Sequence, residues 1–236
     1  MSNKKEIIIK ATKLKKSFIT GDTEQTIFEN LDLNIYRGDF TVIMGSSGAG
    51  KSTLMYSLSG MDRPSSGEVV WNDKTITSLS DDRLAIFRRK NCGFVFQQIY
   101  LLDKMSLMDN VLTASALSGA SKKDSVKYAK ELFELVNIPE ITRKKFPSQV
   151  SGGEAQRAGI VRAVINKPEI LFADEPTGAL DSKSSKQLLE TFSTLNRMGS
   201  TLVMVTHDAF TASYASRILF LQDGKIFTEL NRGSDS

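Results

Sequence analysis

An α/β fold built around a phosphate-binding loop is predicted by three observations. The glycine-rich stretch Gly45-Ser46-Ser47-Gly48-Ala49-Gly50-Lys51-Ser52-Thr53 joins an apolar run, residues 40–44, to a helix-forming run, residues 53–58. Short apolar strands and helix-length stretches alternate again through the later half of the chain. Between these, glycine thins out over residues 99–149 and helical periodicity takes over. The expected architecture is an α/β core with a small antiparallel β-subdomain and an inserted α-helical subdomain.

In chain order, residues 7–18 read as an extended strand, followed by a polar loop around Gly21-Asp22. Residues 27–35 alternate Leu31, Leu33 and Ile35 with polar partners, as a half-buried strand does. Residues 36–39 turn into the buried strand that feeds the glycine loop, and a helix follows. Residues 68–71 and 75–76, separated by Asn72-Asp73-Lys74, read as a hairpin beside the main sheet. A short helix starts near residues 80–82 and ends in Arg88-Arg89-Lys90, cations suited to a helix C-terminus. A buried strand at 93–96 leads to Gln97-Gln98.

The helical stretch is clearest at 125–136, with Val126, Ala129, Leu132, Phe133 and Val136 on one face. Arg143-Lys144-Lys145 is expected to be solvated. Helices are expected at 154–165, 184–196 and 209–215, strands at 170–173, 202–205 and 218–221. Asp223-Gly224 signals a hairpin turn into 225–227.

Bulk properties narrow the class. A chain of 236 residues builds one sizeable core, and 40% hydrophobic with 25% charged residues suits a soluble domain. A net charge of +4 fits an anionic membrane surface or nucleic acid, and equally neither. No apolar run nears the roughly 18 residues that span a bilayer. The start Met1-Ser2-Asn3-Lys4-Lys5-Glu6 lacks a signal-peptide core, so a cytoplasmic location is expected. The single cysteine, Cys92, excludes an internal disulfide and a cysteine-metal cluster; it is expected to be a small buried hydrophobe.

The chemistry follows from a few motifs. Strand, glycine loop and helix let successive N–H groups converge on an anion at a helix N-terminus, so a nucleoside triphosphate is the expected ligand. Lys51 then reaches the outer phosphates, and the Ser52 hydroxyl is suited to Mg2+. Residues 170–175 form an apolar strand ending in Asp174 and Glu175. A carboxylate on a neighbouring strand suits Mg2+, and the next one suits general-base activation of water. Val150-Ser151-Gly152-Gly153-Glu154 opens a helix, with Ser151 as N-cap and two glycines exposing N–H groups, a second anion-binding surface. Phe18 is a candidate platform for a purine base.

Taken together, these motifs resemble the nucleotide-binding ATPase subunit of ABC transporters over essentially all of the chain. Residues 45–53 match its Walker A loop, Gln97 its Q-loop, residues 150–154 its signature and residues 170–175 its Walker B strand. Ala179-Leu180-Asp181 matches the D-loop, and His207 the switch histidine. The resemblance implies an ABC ATPase fold with a RecA-like phosphate-loop NTPase core. It implies one domain over residues 1–236, with the helical subdomain at about 99–149. It further implies a head-to-tail homodimer enclosing two ATP molecules, each between residues 45–53 of one copy and Ser151-Gly152-Gly153 of the other. In that scheme Phe18 stacks on adenine, Ser52 and Gln97 ligate Mg2+ with Asp174 in the outer shell, Glu175 is the general base and His207 contacts the γ-phosphate.

Two departures stand out. The signature has Val150 and Glu154 where the general family has leucine and glutamine, and Phe18 replaces the more common tyrosine. Glutamate at this position also occurs in the lipoprotein-releasing branch.

Residues 93–98, 173–182 and 204–208 resemble the branch serving lipoprotein release, macrolide export and antimicrobial-peptide resistance. Residues 181–185, 212–217 and 227–233 look most like bacitracin-type peptide-resistance ATPases, which work with a large permease and often a sensor histidine kinase. That implies a place at the cytoplasmic face of the membrane, held by the permease. Lipoprotein release, macrolide export and a mechanical role in cell-wall remodelling stay open beside it. Ile99-Tyr100-Leu101-Leu102-Asp103 is read either as permease-docking surface or as core. A nucleic-acid ATPase is disfavoured, because the chain has neither heptads nor cysteine clusters, and its basic triplets lack interleaved aromatics.

Overall fold

The computed structural model describes residues 5–21 and 23–231. Residues 1–4, Asp22 of the expected loop and Arg232-Gly233 of the tail lie outside the described residues.

The chain runs through β1 (Ile7–Thr20), β2 (Thr23–Tyr36), β3 (Phe40–Met44), α1 (Lys51–Ser59), β4 (Ser66–Trp71), β5 (Lys74–Thr75) and α2 (Asp81–Asn91). It continues through β6 (Cys92–Phe96), α3 (Leu107–Leu117), α4 (Lys122–Leu135), α5 (Glu140–Arg143), a single 3-10 turn (Pro147–Gln149) and α6 (Gly152–Val164). The last elements are β7 (Ile170–Asp174), α7 (Ser182–Arg197), β8 (Thr201–Thr206), α8 (Ala209–Ala212), β9 (Arg217–Gln222) and β10 (Lys225–Asn231). Two compact units result: the described residues up to Arg88 together with those from Gly199, and the stretch Arg89–Met198.

The first unit holds an antiparallel sheet in the order β2-β1-β4-β5 and a run of paired strands β10-β9-β3-β8. β3 lies parallel to both β8 and β9, and its first four residues are buried, as the continuous apolar run predicts. β1 and β2 extend beyond the expected 7–18 and 27–35. Residues 23–26 of β2 are polar and exposed, so burial periodicity gives no sign of them. Each strand also carries a bulge. Between the pairs Ala11–Leu33 and Leu14–Leu31 the extra residue lies in β1, where Lys13 has φ 49°; between Leu14–Leu31 and Lys16–Phe28 it lies in β2, where Asn30 has φ 52°. The bulge in β2 puts buried Phe28 and Leu31 three apart instead of two.

The β4–β5 hairpin forms where expected, with Asn72 and Asp73 at φ 42° and 66°, the twist-matched two-residue turn. The indole of Trp71 ties it to α1 by donating to the Leu58 carbonyl at 2.8 Å. α8 ends at Ala212, earlier than the expected 215.

The second unit pairs β6 and β7 in parallel and buries Phe133, Ile160, Val161, Phe172, Leu188 and Phe192. α3, α4 and α5 fill the stretch expected to be helical. Two expectations are corrected here. Arg143 is buried, whereas Lys144 and Lys145 are exposed. Its Nε donates to the Ile138 carbonyl at 2.9 Å, and its guanidinium lies 5.6 Å from the Phe133 ring centre. A planar cation serves carbonyl and ring at once, which a solvated lysine does not. Cys92 is half-buried at the start of β6, not fully enclosed.

Candidate functional site

In the first unit the glycine loop leaves β3 after half-buried Met44 and enters α1 through Gly50. That residue has φ 91°, and a Cβ there would come within 2.6 Å of the Ile27 side chain, so only glycine fits. α3, α6, α7 and α8 each begin with a side-chain cap. α1, like α4 and α5, has no such cap, but unlike them it has no acidic residue in its first turn. A helix start of this kind, entered through a glycine loop, suits an anion at the positive end of the helix. Lys51 is 7% exposed and curls back over the loop. Its ammonium donates to the carbonyls of Gly45 at 2.9 Å and Ser46 at 2.8 Å, which holds one positive charge over the loop.

Strand register brings a second group to the same edge. Met44 of β3 is opposite Thr206 of β8, so His207, which is exposed, follows the sheet end beside Gly45. Asp208 then caps α8, accepting from the N–H groups of Phe210 and Thr211 and from the Thr211 hydroxyl. The Thr211 hydroxyl is the main reason that its carboxyl sits below the usual range. Phe18, on β1, is 44% exposed, and the Lys16 ammonium stands 4.9 Å from its ring centre. That ammonium is anchored to Asp62 at 2.7 Å and to the Arg63 carbonyl, so the ring is a supported apolar surface.

The second unit repeats the register device. Phe96 of β6 is opposite Asp174 of β7, so Gln97 and Glu175 leave neighbouring strands together. Glu175 has φ 44°, a left-handed conformation that a non-glycine residue adopts at a cost of roughly 1–3 kcal/mol. Gly178 folds back so that its N–H donates to the Glu175 carbonyl at 3.0 Å. A Cβ on Gly178 would lie 2.9 Å from the Gln97 amide nitrogen.

Ser151 caps α6 as expected, accepting from the Glu154 N–H at 3.2 Å. Glu154 answers as the other half of a capping box, accepting from the Ser151 N–H and hydroxyl, each at 2.9 Å. The Ser151 N–H is the main reason that the Glu154 carboxyl is held below its ordinary range. Sequence reading found the cap and missed the reciprocal bond, although the Ser-x-x-Glu spacing carries it. Asp181 caps α7, accepting from the N–H groups of Lys183 and Ser184 and, at 2.6 Å, from the Ser184 hydroxyl.

The segment after Gln97 is surface: Tyr100 is 63% exposed and Leu102 52% exposed. Its backbone is nonetheless fixed, because Arg162 donates to the Ile99 and Tyr100 carbonyls and Asn110 pairs with both N–H and C=O of Leu102. Sequence reasoning did not single out Arg162, Asn110 or Gln156. Each betrays itself only as a polar residue within a helix, Asn110 and Gln156 being buried.

Comparison with known proteins places these motifs. The family profile described as ABC transporter matches residues 28–178, well over half of the chain. A bacitracin export ATP-binding protein, BceA, of Halalkalibacterium halodurans is 41% identical over 230 residues, covering 97% of this chain and 90% of that protein. A macrolide export ATP-binding/permease protein, MacB, of Pasteurella multocida is 40% identical over 222 residues, covering 94% of this chain but 34% of that longer protein. Among solved structures, the dimeric structure of MJ0796, a bacterial ABC transporter cassette, superposes with a TM-score of 0.87 at 36% identity, covering 95% of this chain and 98% of that one. The same cassette has also been solved as a dimer in a post-hydrolysis state bound to ADP and Pi.

Proposed function

The chain belongs to the ABC transporter family as an ATP-binding, ATP-hydrolysing subunit with the α/β cassette fold, and on that premise we propose that it powers a separate membrane permease in antimicrobial-peptide resistance. The observation that carries the nucleotide reading is the uncapped start of α1 with the Lys51 ammonium drawn over its loop. The peptide-resistance reading rests on similarity to the bacitracin export protein along nearly the whole of both chains.

In this reading residues 45–53 bind the phosphates of ATP, Phe18 supports the adenine and His207 holds the γ-phosphate. Glu175 accepts a proton from the water that attacks the γ-phosphorus, and ADP leaves with the bridging oxygen. Ser52, Gln97 and Asp174 offer hydroxyl, amide and carboxylate oxygens, the hard donors that Mg2+ takes. Among the described residues no cluster of three or more His, Cys, Asp or Glu is gathered, so these side chains would share the ion with phosphate and water. Bound there, it would neutralise charge on the phosphates.

Two copies pair around two ATP molecules, with Ser151-Gly152-Gly153 of each copy facing the other copy's nucleotide. The dimeric relative supports this arrangement. No helix of the described residues is long and apolar enough to cross a membrane. We therefore assign attachment at the cytoplasmic face to the permease, with a sensor histidine kinase reached through it. The domain reading is a single cassette over residues 1–236, its helical subdomain at about 99–149.

The test is nucleotide binding by Lys51→Ala. Removing the ammonium should weaken ATP binding by at least about 100-fold, the scale of a charged hydrogen-bonded contact of roughly 3 kcal/mol. Equal affinity in wild type and variant would contradict the assignment.

A further inference from the structure

Gln156 is 1% exposed on α6, among the buried residues Ala155, Ala158 and Ile160. Its Nε2 donates to the Phe96 carbonyl at 2.8 Å and to the Pro176 carbonyl at 3.0 Å. Both partners only accept, so the amide orientation follows from them without ambiguity. Its Oε1 is buried and meets no donor among the described residues. A buried amide with one end unsatisfied is a poor source of stability. Local polar arrangements that break this rule tend to lie at functional places.

The two carbonyls are informative. Phe96 immediately precedes Gln97, and Pro176 immediately follows Glu175. The Gln97 amide in turn rests against Gly178, two residues beyond Pro176. One side chain, from the helix that opens with Ser151-Gly152-Gly153, therefore holds the backbone on either side of the β6–β7 strand ends. We propose that Gln156 is a positioning residue. It links α6 to the Gln97 and Glu175 loops, so that docking of a second copy's nucleotide on the N-terminus of α6 sets where those two side chains stand. The inference rests on the roles given above to Gln97 and Glu175, and adds a residue that touches neither ATP nor water.

The experiment uses the full chain with Gln156→Leu and Gln156→Met, which fill similar volume without donors. ATP turnover, affinity for a fluorescent ATP analogue and thermal midpoint are measured for each, alone and combined with Gln97→Ala. The expected result is a loss of about tenfold or more in kcat with nucleotide affinity within about twofold, since the phosphate loop is untouched. The Gln97→Ala combination should lower kcat no further than the worse single change, the mark of residues acting as a unit. A lower thermal midpoint with wild-type kcat, or fully multiplicative losses, would overturn the proposal. If Gln156→Leu does not fold, Gln156→Met alone gives the same reading. A wild-type chain that binds no ATP analogue and hydrolyses no ATP would instead overturn the functional reading itself.

Discussion

Met44 and Thr206 are partners at the last paired position of the parallel strands β3 and β8. Gly45 and His207 are the next residues of each chain segment, so sheet register alone brings the histidine to the edge where the phosphate loop begins. On the role proposed for His207 at the γ-phosphate, His207→Ala takes away that contact and leaves the loop and its lysine intact. Steady-state kinetics should show kcat lowered about 100-fold with ATP affinity little changed, the size of one lost transition-state donor. A kcat near wild type would remove His207 from the catalytic group.

Glu154 makes the signature helix sensitive to acid. Its folded-state pKa is depressed by the Ser151 N–H, so its contribution to stability is present above the unfolded glutamate value of about 4.3 and is lost as pH falls through the folded value. Glu154→Gln keeps an acceptor for the capping box and loses the charge that favours the helix N-terminus. Thermal melts should show the variant roughly 1–3 °C less stable at pH 7, from about 0.3–1 kcal/mol of charge–dipole energy. The gap should close in acid, as pH falls through the depressed folded value and the wild-type carboxylate protonates. A gap that persists at acid pH would show that the charge is not the cause.

The division between what was legible in the sequence and what was not has a physical basis. The glycine loop, the apolar strands and the Ser151 cap are local patterns, and each stands in the structure where its pattern places it. The outer ends of the two strands, residues 19–20 of β1 and 23–26 of β2, were missed because the β2 end is polar and exposed and carries no burial period, and because each strand holds a bulge. Arg143 was misread because its partners, the Ile138 carbonyl and the Phe133 ring, are supplied by the fold around a basic triplet that looks solvated. Gln156 depends on carbonyls 60 and 20 residues away, beyond any local signal.

Tyr100 and Leu102 present apolar surface on a backbone fixed by Arg162 and Asn110. That resolves the choice between core and surface left open by the sequence, and it favours docking. The double change Tyr100→Glu with Leu102→Glu should abolish co-purification with the permease from detergent-solubilised membranes, while ATP affinity stays within about twofold. Permease recovery equal to wild type would exclude these residues from the docking surface.

The most direct measurement is made on Glu175→Gln, with ATP turnover, ATP binding and oligomeric state followed in one preparation with Mg2+. The side chain keeps its size and loses the ability to take a proton. Turnover should fall by about 100-fold or more while ATP affinity is retained, and addition of ATP should convert monomer to a stable dimer. Substantial hydrolysis by the variant would show that Glu175 is not the base, and a chain that stays monomeric with ATP bound would contradict the paired-cassette account.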